Sequence, residues 1–599
     1  MNHWDQANRE LLAKAITELM YEEIIAPEIG GDGALRWALP SGTLTGTACH
    51  RELGWWRVDT ASLRFDHAST HGRDRQDASA VSPLAAMPDA ATVLSEGLAA
   101  AGCGGATLAP YVAELSATLQ ADCVRLDGAR PVAELLDESP VLVEAELGAH
   151  PWIIANKGRV GFSASDARQY APEARQDVRL HWLAAAQGVA EIRGLDHHRV
   201  VREQVGDDEY ARLRGRAVAA GLDPDRCAFL PVHPWQWTNR VEPLHAGELA
   251  RGELAWLGEG VARYRPQLSV RTMTDLDHPG RRYIKLPLSV LNTSVYRGLP
   301  RERTIAAPAL SGWLRSVVDG DPFLAETGLV LLGEVASVSI PHRTFEAMAG
   351  VPYQYTELLG AIWRESVDGY LRPGEQAVSL AALLHIDTDG ASFAGALIER
   401  SGLRPDAWFA VLHEAVLPPL LHFLYRYGAM FSPTGQNCML IHRYGVPQRL
   451  VVKDFVDDVA LCSERLPEHD GLDPVAVAAL ADVTISAKTL VKYLHNGLII
   501  GVYRYLAEIA DDLLGLPEEA FWAGTRAVLR RYQARFAGEL AARFTQFDLE
   551  TLTIPKLCLN RLRLLERGYG DDPDRPVISA HGEVRNPLSG EVQGRDRRT

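Results

Sequence analysis

The chain has 599 residues, 47% hydrophobic and 23% charged, which is too long for one core and has apolar material for about two to four domains. Its formal charge of −16 at pH 7 excludes a general binder of nucleic acid or anionic membrane, because a phosphate surface needs a net basic face. Seven cysteines without CxxC or other metal spacing, a polar N-terminus (MNHWDQANRE) and no uninterrupted apolar run of about 18 residues predict a cytoplasmic protein with no membrane partner.

Residues 4–26 carry Leu11, Leu12, Ala15, Ile16, Leu19 and Ile24 at helical spacing, which predicts a helix. From Gly30 to Phe65, turn residues separate short strand-like segments. His67 to Ala78 reads as an exposed loop, and 89–123 as Ala-rich helix. An acidic amphipathic stretch from Leu135 to Gly148 leads into HPWIIANKGRVGFSASDARQYAPE, residues 150–173. His-Pro-Trp recurs at His233-Pro234-Trp235. A proline after each histidine imposes extended backbone there, so His150 and His233 are expected on loops or strand ends.

Residues 266–299 predict strands at Leu268–Met273, Tyr283–Leu288 and Val290–Tyr296. They bear Ser269, Arg271 and Thr272, then Lys285, then Thr293, Ser294 and Arg297. Residues two apart share a strand face, which sets Ser269 beside Arg271. Hydroxyls interleaved with Arg and Lys read either as a small-molecule anion site or as charge on edge strands. Another strand, 324–341, carries Glu334. Helices are predicted over 355–371, 377–385, 405–430, 473–514 and 517–546. Near the C-terminus, Lys556, Asn560 and Arg563 at i, i+4, i+7 are placed on one helix face. The tail from Asp571 is polar, and its last dozen residues are expected to be disordered.

The stretch Ser432–Asp458, SPTGQNCMLIHRYGVPQRLVVKDFVDD, predicts a hairpin of Cys438–His442 and Gln448–Val452. A turn on Gly445-Val446 sets Cys438 opposite Lys453 and Asn437 opposite Asp454. Oxygen donors converging beside Gln436, Asp457 and Asp458 suit Mg²⁺ on a nucleotide's phosphates; the alternative is a surface hairpin with a solvated Asp pair. No Walker loop, dinucleotide fingerprint, GxSxG elbow, HExxH or Cys/His zinc set occurs. What is left is a divided ATP site, basic around 269–297 and acidic around 436–458. Kinases also place Asn and Asp on Mg²⁺ across a short hairpin, but the position of their catalytic base is Ser432 here. A carboxylate substrate needs no base, since it is ionised at pH 7 and can attack the α-phosphate directly. Arg and Lys then act electrostatically, which favours adenylation of a carboxylic acid.

These residues resemble the NRPS-independent siderophore synthetases, the aerobactin-synthetase-type family. His150-Pro151, Lys157 to Phe162 and Tyr170 to Glu173 resemble its HP…K.R.GF…YAPE block, and Leu230 to Gln236 its second block. Ser269 to Thr272, Lys285-Leu286, Thr293-Ser294 and Arg297 match its ATP and substrate segment. Gly435-Gln436-Asn437 and Lys453-Asp454-Phe455 match its HGQN and (K/R)DF motifs. The wording WIIANKGRVGF, with Ile153-Ile154 where many members have a second His-Pro, is closest to the desferrioxamine and alcaligin synthetase branch. Thr434 stands where the family has a histidine, which puts substrate identity and catalytic competence at issue.

The resemblance implies an α+β, cupped-hand fold. Its thumb would span 1–180, mostly helical with some strands, its fingers 181–390 with strands for ATP and substrate, and its palm 391–599 with the hairpin. It implies an ATP- and Mg²⁺-dependent ligase acting in iron acquisition. That enzyme adenylates a dicarboxylate monoamide or monoester, or a citrate-type acid, and condenses it with an amine or hydroxyl, releasing AMP and pyrophosphate. Small-molecule substrates and a homodimer are expected. By carry-over, Lys285, Arg297 and Thr434 are catalytic, and Ser269, Arg271, Thr272, Lys285, Gln436, Asn437 and Asp454 bind ATP. His150, Lys157, Arg159, His233, Thr293, Ser294, Arg297, Lys556 and Arg563 bind substrate, and Asn437, Asp454 and Asp457 hold the metal. A kinase-like phosphotransferase and a non-catalytic ATP-binding relative are the alternatives.

Overall fold

The computed structural model describes residues 3–68 and 87–590; the loop expected over 69–78 and the last nine residues of the expected disordered tail lie outside the described residues. The helix Trp4–Tyr21 forms as its periodicity predicts. It buries Leu11, Leu12, Ala15, Ile16 and Leu19 in a core shared with helices Ala90–Ala100 and Gly105–Asp127 and an antiparallel five-stranded sheet drawn from 28–67.

A second core sits under a six-stranded antiparallel sheet, in the order Tyr264–Pro266, Thr272–Asp275, Tyr283–Lys285, Gly360–Arg364, Glu334–Ser339, Glu191–Gly194. Two expectations are corrected here. The helix expected over 355–371 is replaced by the strand Gly360–Arg364, every residue of which is buried. Its Ala, Ile and Trp pack between two neighbouring strands, and that tertiary context overrides local preference. The strand expected from Leu268 to Met273 begins only at Thr272, because residues 267–271 form a turn in which Val270 has φ +61°.

A four-stranded sheet runs Val330–Leu331, Val446–Val452, Cys438–Arg443, Glu375–Ser379, and its first pair is parallel in an otherwise antiparallel arrangement. The helix expected over 377–385 is therefore a strand followed by a 3-10 turn at Leu380–Leu384. Behind this sheet lies the largest core, built on the helix Pro405–Tyr427 with Glu518–Arg535 and the segments from Ala487 to Leu514. By length and composition Pro405–Tyr427 could cross a membrane, but it is the central helix of this core, with most of its apolar side chains buried. The α+β class read from the sequence describes the molecule.

The hairpin forms with a corrected register. Tyr444 and Gly445, at φ +51° and +81°, make the two-residue turn, the positive-φ pair that matches strand twist. An irregularity after Ile441 then brings Cys438 opposite Val452 rather than Lys453. Lys556 also departs from expectation: it lies in the strand Thr553–Leu557, which pairs with Ala580–Arg585 from the supposed tail. The β-branched Thr553 and Ile554 with Pro555 suit that strand, so no common helix face joins Lys556, Asn560 and Arg563.

Candidate active site

Three strands and one loop converge on a buried cluster of charge. Lys285, at the end of its strand and 0% exposed, donates to Asp454 Oδ1 and, at 2.6 Å, to Asp457 Oδ2. Arg271 reaches the same Asp457 oxygen at 2.9 Å and also donates to the Gly298 carbonyl. Arg364, on the neighbouring central strand, bridges Glu334 at 2.8 Å and Asp454 at 3.1 Å. Glu334 in turn accepts the Val456 amide at 3.1 Å, so it positions the loop that presents the aspartates. Arg303 donates to the Val456 carbonyl at 3.2 Å from the other side.

The electrostatics follow from who is paired. Burial opposes ionisation of Asp457, yet Lys285 and Arg271 hold its carboxyl well below the usual range. Burial likewise opposes Asp454, which Lys285 and Arg364 keep low. Asp458 forms no ion pair among the described residues: burial first, then Asp454 and Asp457, push it up to about 7, against the smaller opposing pull of Lys285 and Asn437. Asp457, at 14% exposure and bonded to Lys285 and Arg271, is not one of a freely solvated Asp pair, and Lys285 and Arg271 are buried rather than plain charge on edge strands. Among the described residues Arg297 makes no ion pair; it donates to Thr293 Oγ1, and its Nε is buried without a partner. Burial, then Arg271 and Arg575, lower its pKa to about 10.

Backbone strain collects here as well. Val270, Thr293 and Asp454 have φ of +61°, +61° and +72°, a region that side chains, β-branched ones above all, avoid at a cost of about 1–3 kcal/mol each. Each of these strained residues adjoins a charged group of the cluster or belongs to it.

The other expected residues divide. Ser269 accepts the Thr272 amide at 3.2 Å and shapes the turn before Arg271, while the Thr272 hydroxyl is buried without a partner. Asn437 is buried beside the loop and donates to the Ser432 carbonyl at 3.1 Å. Thr434 Oγ1 accepts the Asn437 amide at 3.3 Å, and Gln436 is half-buried at the loop's tip. Gly435 is pressed against Ala381, where a Cβ would stand 3.0 Å from the Ala381 amide nitrogen. Ser294 and Arg563 line a cleft with Leu291, Tyr296, Tyr353 and Tyr569, and Arg563 donates to the Thr293 carbonyl at 2.8 Å.

Four residues expected to bind substrate are engaged within the fold. Arg159 forms a two-point pair with Glu173 at 2.5 and 2.9 Å, and Lys157 bonds Asp122 at 2.8 Å. His233 Nδ1 caps the Trp235 amide at 3.2 Å. Lys556 bonds the Tyr21 carbonyl at 2.7 Å and Glu23 at 2.5 Å. His150 is intermediate: its Nδ1 accepts the Ile153 amide at 3.1 Å, yet Lys14 and Arg297 are its charged neighbours. Sequence reasoning missed Arg364, Arg575 and Lys14. Arg575 pairs with Glu357 at 2.8 Å and reaches the Gly298 carbonyl at 3.3 Å. Burial, then Lys157, lower Lys14 to about 7.

Family models match the chain over 141–385 (IucA / IucC family) and 406–572 (ferric iron reductase FhuF-like transporter). The rhizobactin siderophore biosynthesis protein RhbF of Rhizobium meliloti is 37% identical over 98% of this chain and 96% of its own. The chain belongs to the NRPS-independent siderophore synthetases. The aerobactin synthase of Escherichia coli is 34% identical, with 98% of both chains covered. The structure of aerobactin synthetase IucC from Klebsiella pneumoniae superposes with a TM-score of 0.83 at 32% identity, covering 98% of this chain and 99% of that one. Because these alignments run end to end, the two family models describe two parts of one siderophore synthetase. The protein is a ligase of siderophore biosynthesis that acts on small-molecule acid and amine substrates.

Proposed function

We propose that this synthetase adenylates a carboxylic acid with ATP and passes the acyl group to an amine or hydroxyl, with Arg271, Lys285 and Arg297 meeting Asp454–Asp458 at the reacting centre. The observation that carries this reading is the unpaired Arg297 beside a cluster in which Lys285 already balances Asp454 and Asp457. A preorganised cation in a water-poor site is what charge moving off an α-phosphate requires. Lys285 holds the aspartates in place, Arg271 ties them to the Gly298 turn, and Arg297 with Lys14 offers positive charge to an acyl carboxylate or phosphate.

Asn437, Asp454, Asp457 and Asp458 supply the hard oxygens that suit Mg²⁺. The crowding that pushes Asp458 up is what an added divalent cation relieves, so these residues fit the ion. When bound, Mg²⁺ would neutralise phosphate charge. The kinase reading is disfavoured at Ser432, whose carbonyl accepts from Asn437 and whose amide bonds the Asp458 carbonyl at 2.8 Å; no carboxylate stands at that position to take a hydroxyl proton.

The thumb, fingers and palm spans of 1–180, 181–390 and 391–599, a homodimer, and a cytoplasmic setting belong to the same proposal; seven free cysteines support the last. A monoamide or monoester is the preferred acid, because Thr434 offers a hydroxyl where an imidazole would meet one more anionic group. Acid-dependent exchange of pyrophosphate into ATP, with hydroxylamine trapping of the acyl group, tests the reaction. ADP without AMP would make the protein a phosphotransferase, and no turnover with any dicarboxylate derivative would make it a binding protein.

A further inference from the structure

We propose that His245, Glu248 and His342 bind one divalent transition-metal ion of the zinc class, at a site built from residues that take no part in the adenylation cluster. One donor atom from each lies within 4.8 Å of the others. His245 is wholly buried, and neither ring nitrogen has a hydrogen-bond partner among the described residues. A neutral imidazole carries one N–H and one lone pair, and leaving both unmatched in the interior is rare enough in folded proteins to need a cause. A bound cation supplies one, since it takes the lone pair.

His342 is set up as a second ligand. Its Nε2 lies 2.9 Å from the Leu244 carbonyl oxygen. A carbonyl only accepts, so Nε2 carries the hydrogen and Nδ1 the lone pair. Among the described residues Nδ1 has one other bond, the long N-cap it accepts from the Phe345 amide at 3.4 Å, which a bound ion would replace. Handing the second ring N–H to a backbone carbonyl fixes tautomer and ring orientation, as metal-ligating histidines do. The two rings sit 4.8 Å apart between centroids.

Glu248 follows His245 by three residues, which on a helical segment puts both on one side. Its carboxylate is 3.9 Å from His245 Nδ1, and at 13% exposure it gives an ion a route from solvent. Arg251, 3.7 Å from Glu248, is more than half exposed and is held by Glu253 at 3.1 and 3.2 Å, so it does not occupy the Glu248 carboxylate. Two imidazoles and one carboxylate are donors for Zn²⁺ and its neighbours, whereas Mg²⁺ asks for oxygens throughout. Such an ion would staple the helical segment from Glu242 to Ala250 onto the turn at His342–Glu346. A motif scan misses this set because His342 lies far along the chain from HAGE at 245–248.

The test is metal content of the full-length, untagged chain purified without chelator, followed by stripping and titration with Zn²⁺ or Co²⁺. We expect about one equivalent of metal, a visible Co²⁺ ligand-field band, and a higher melting temperature on Zn²⁺ addition. Glu248→Gln, at the solvent edge, should keep the fold and weaken Zn²⁺ binding at least about 10-fold, while His245→Ala with His342→Ala should abolish it. The proposal is overturned if the wild-type chain takes up neither ion, or if Glu248→Gln binds as tightly as wild type. Should the double-histidine variant fail to fold, Glu248→Gln decides alone.

Discussion

Arg159 gives both terminal nitrogens to Glu173, at 2.5 and 2.9 Å, while Arg297 makes no ion pair among the described residues and donates only to the neutral Thr293 hydroxyl. Both belong to motifs shared with siderophore synthetases, yet the region 150–173 consumes its polar groups internally whereas the region 269–297 holds capacity in reserve. Lys157, bonded to Asp122 and the Gly148 carbonyl, follows Arg159, and Thr272, whose hydroxyl has no partner among the described residues, follows Arg297. The contrast separates two reasons for a motif to contain charge. A buried ion pair fixes a loop, and a half-buried cation that no carboxylate balances is prepared for an anion that arrives later.

The widest break of this contrast should come at the cluster itself. Asp454→Ala or Lys285→Ala should lower acid-dependent pyrophosphate exchange by about 1000-fold, since each removes a charge that the others are arranged around; exchange within about threefold of wild type would remove the cluster from the site. Arg297→Ala should cost about 100-fold in kcat/KM with an unchanged melting temperature, because no carboxylate is left stranded. Arg159→Ala should do the opposite. It leaves Glu173 buried and unpaired, a loss of about 3–5 kcal/mol in stability, while the folded fraction adenylates at nearly the wild-type rate. A large fall in kcat/KM at unchanged stability would place Arg159 with Arg297 instead.

Two smaller effects sharpen the electrostatics. Asp458 is raised from 3.8 to about 7, so between those values the folded state binds the extra proton. Its contribution therefore favours folding less as pH rises through that window. Denaturant melts from pH 4 to 8 should show wild type losing ground against Asp458→Asn as pH increases; parallel curves would mean the carboxyl is not crowded. Thr434→His should shift acid preference toward a more anionic substrate by less than about tenfold without altering the pH profile. A strong gain in transfer rate near neutral pH with unchanged acid preference would instead mark the missing imidazole as a proton acceptor.

Much of this site was legible before any fold was known. Lys285 and Arg271 stood out as cations interleaved with hydroxyls on predicted strands, and Asp454 as an oxygen donor at the open end of a hairpin. Register was legible only to within one residue, since Tyr444 adopts a positive φ that its identity does not announce and an irregularity follows Ile441. Lys556 and Arg563 shared helical spacing by coincidence, and the strand partner that decides against a helix lies at 580–585. Arg575 and Lys14 were invisible because they join the site from opposite ends of the chain, through contacts no local pattern encodes. Arg364 was lost with the strand it sits on, because 355–371 was read as a helix and the strand Gly360–Arg364 is fixed by its two neighbours in the sheet.

The reaction itself is tested most directly by following oxygen. With a carboxylic acid substrate labelled in its carboxylate with heavy oxygen, attack on the α-phosphate transfers one labelled atom to AMP when the amine displaces it. Mass spectrometry of the products should find AMP carrying the label, unlabelled pyrophosphate, and an amide or ester that has lost one labelled oxygen. Unlabelled AMP, or ADP with label in inorganic phosphate, would contradict adenylation at this site.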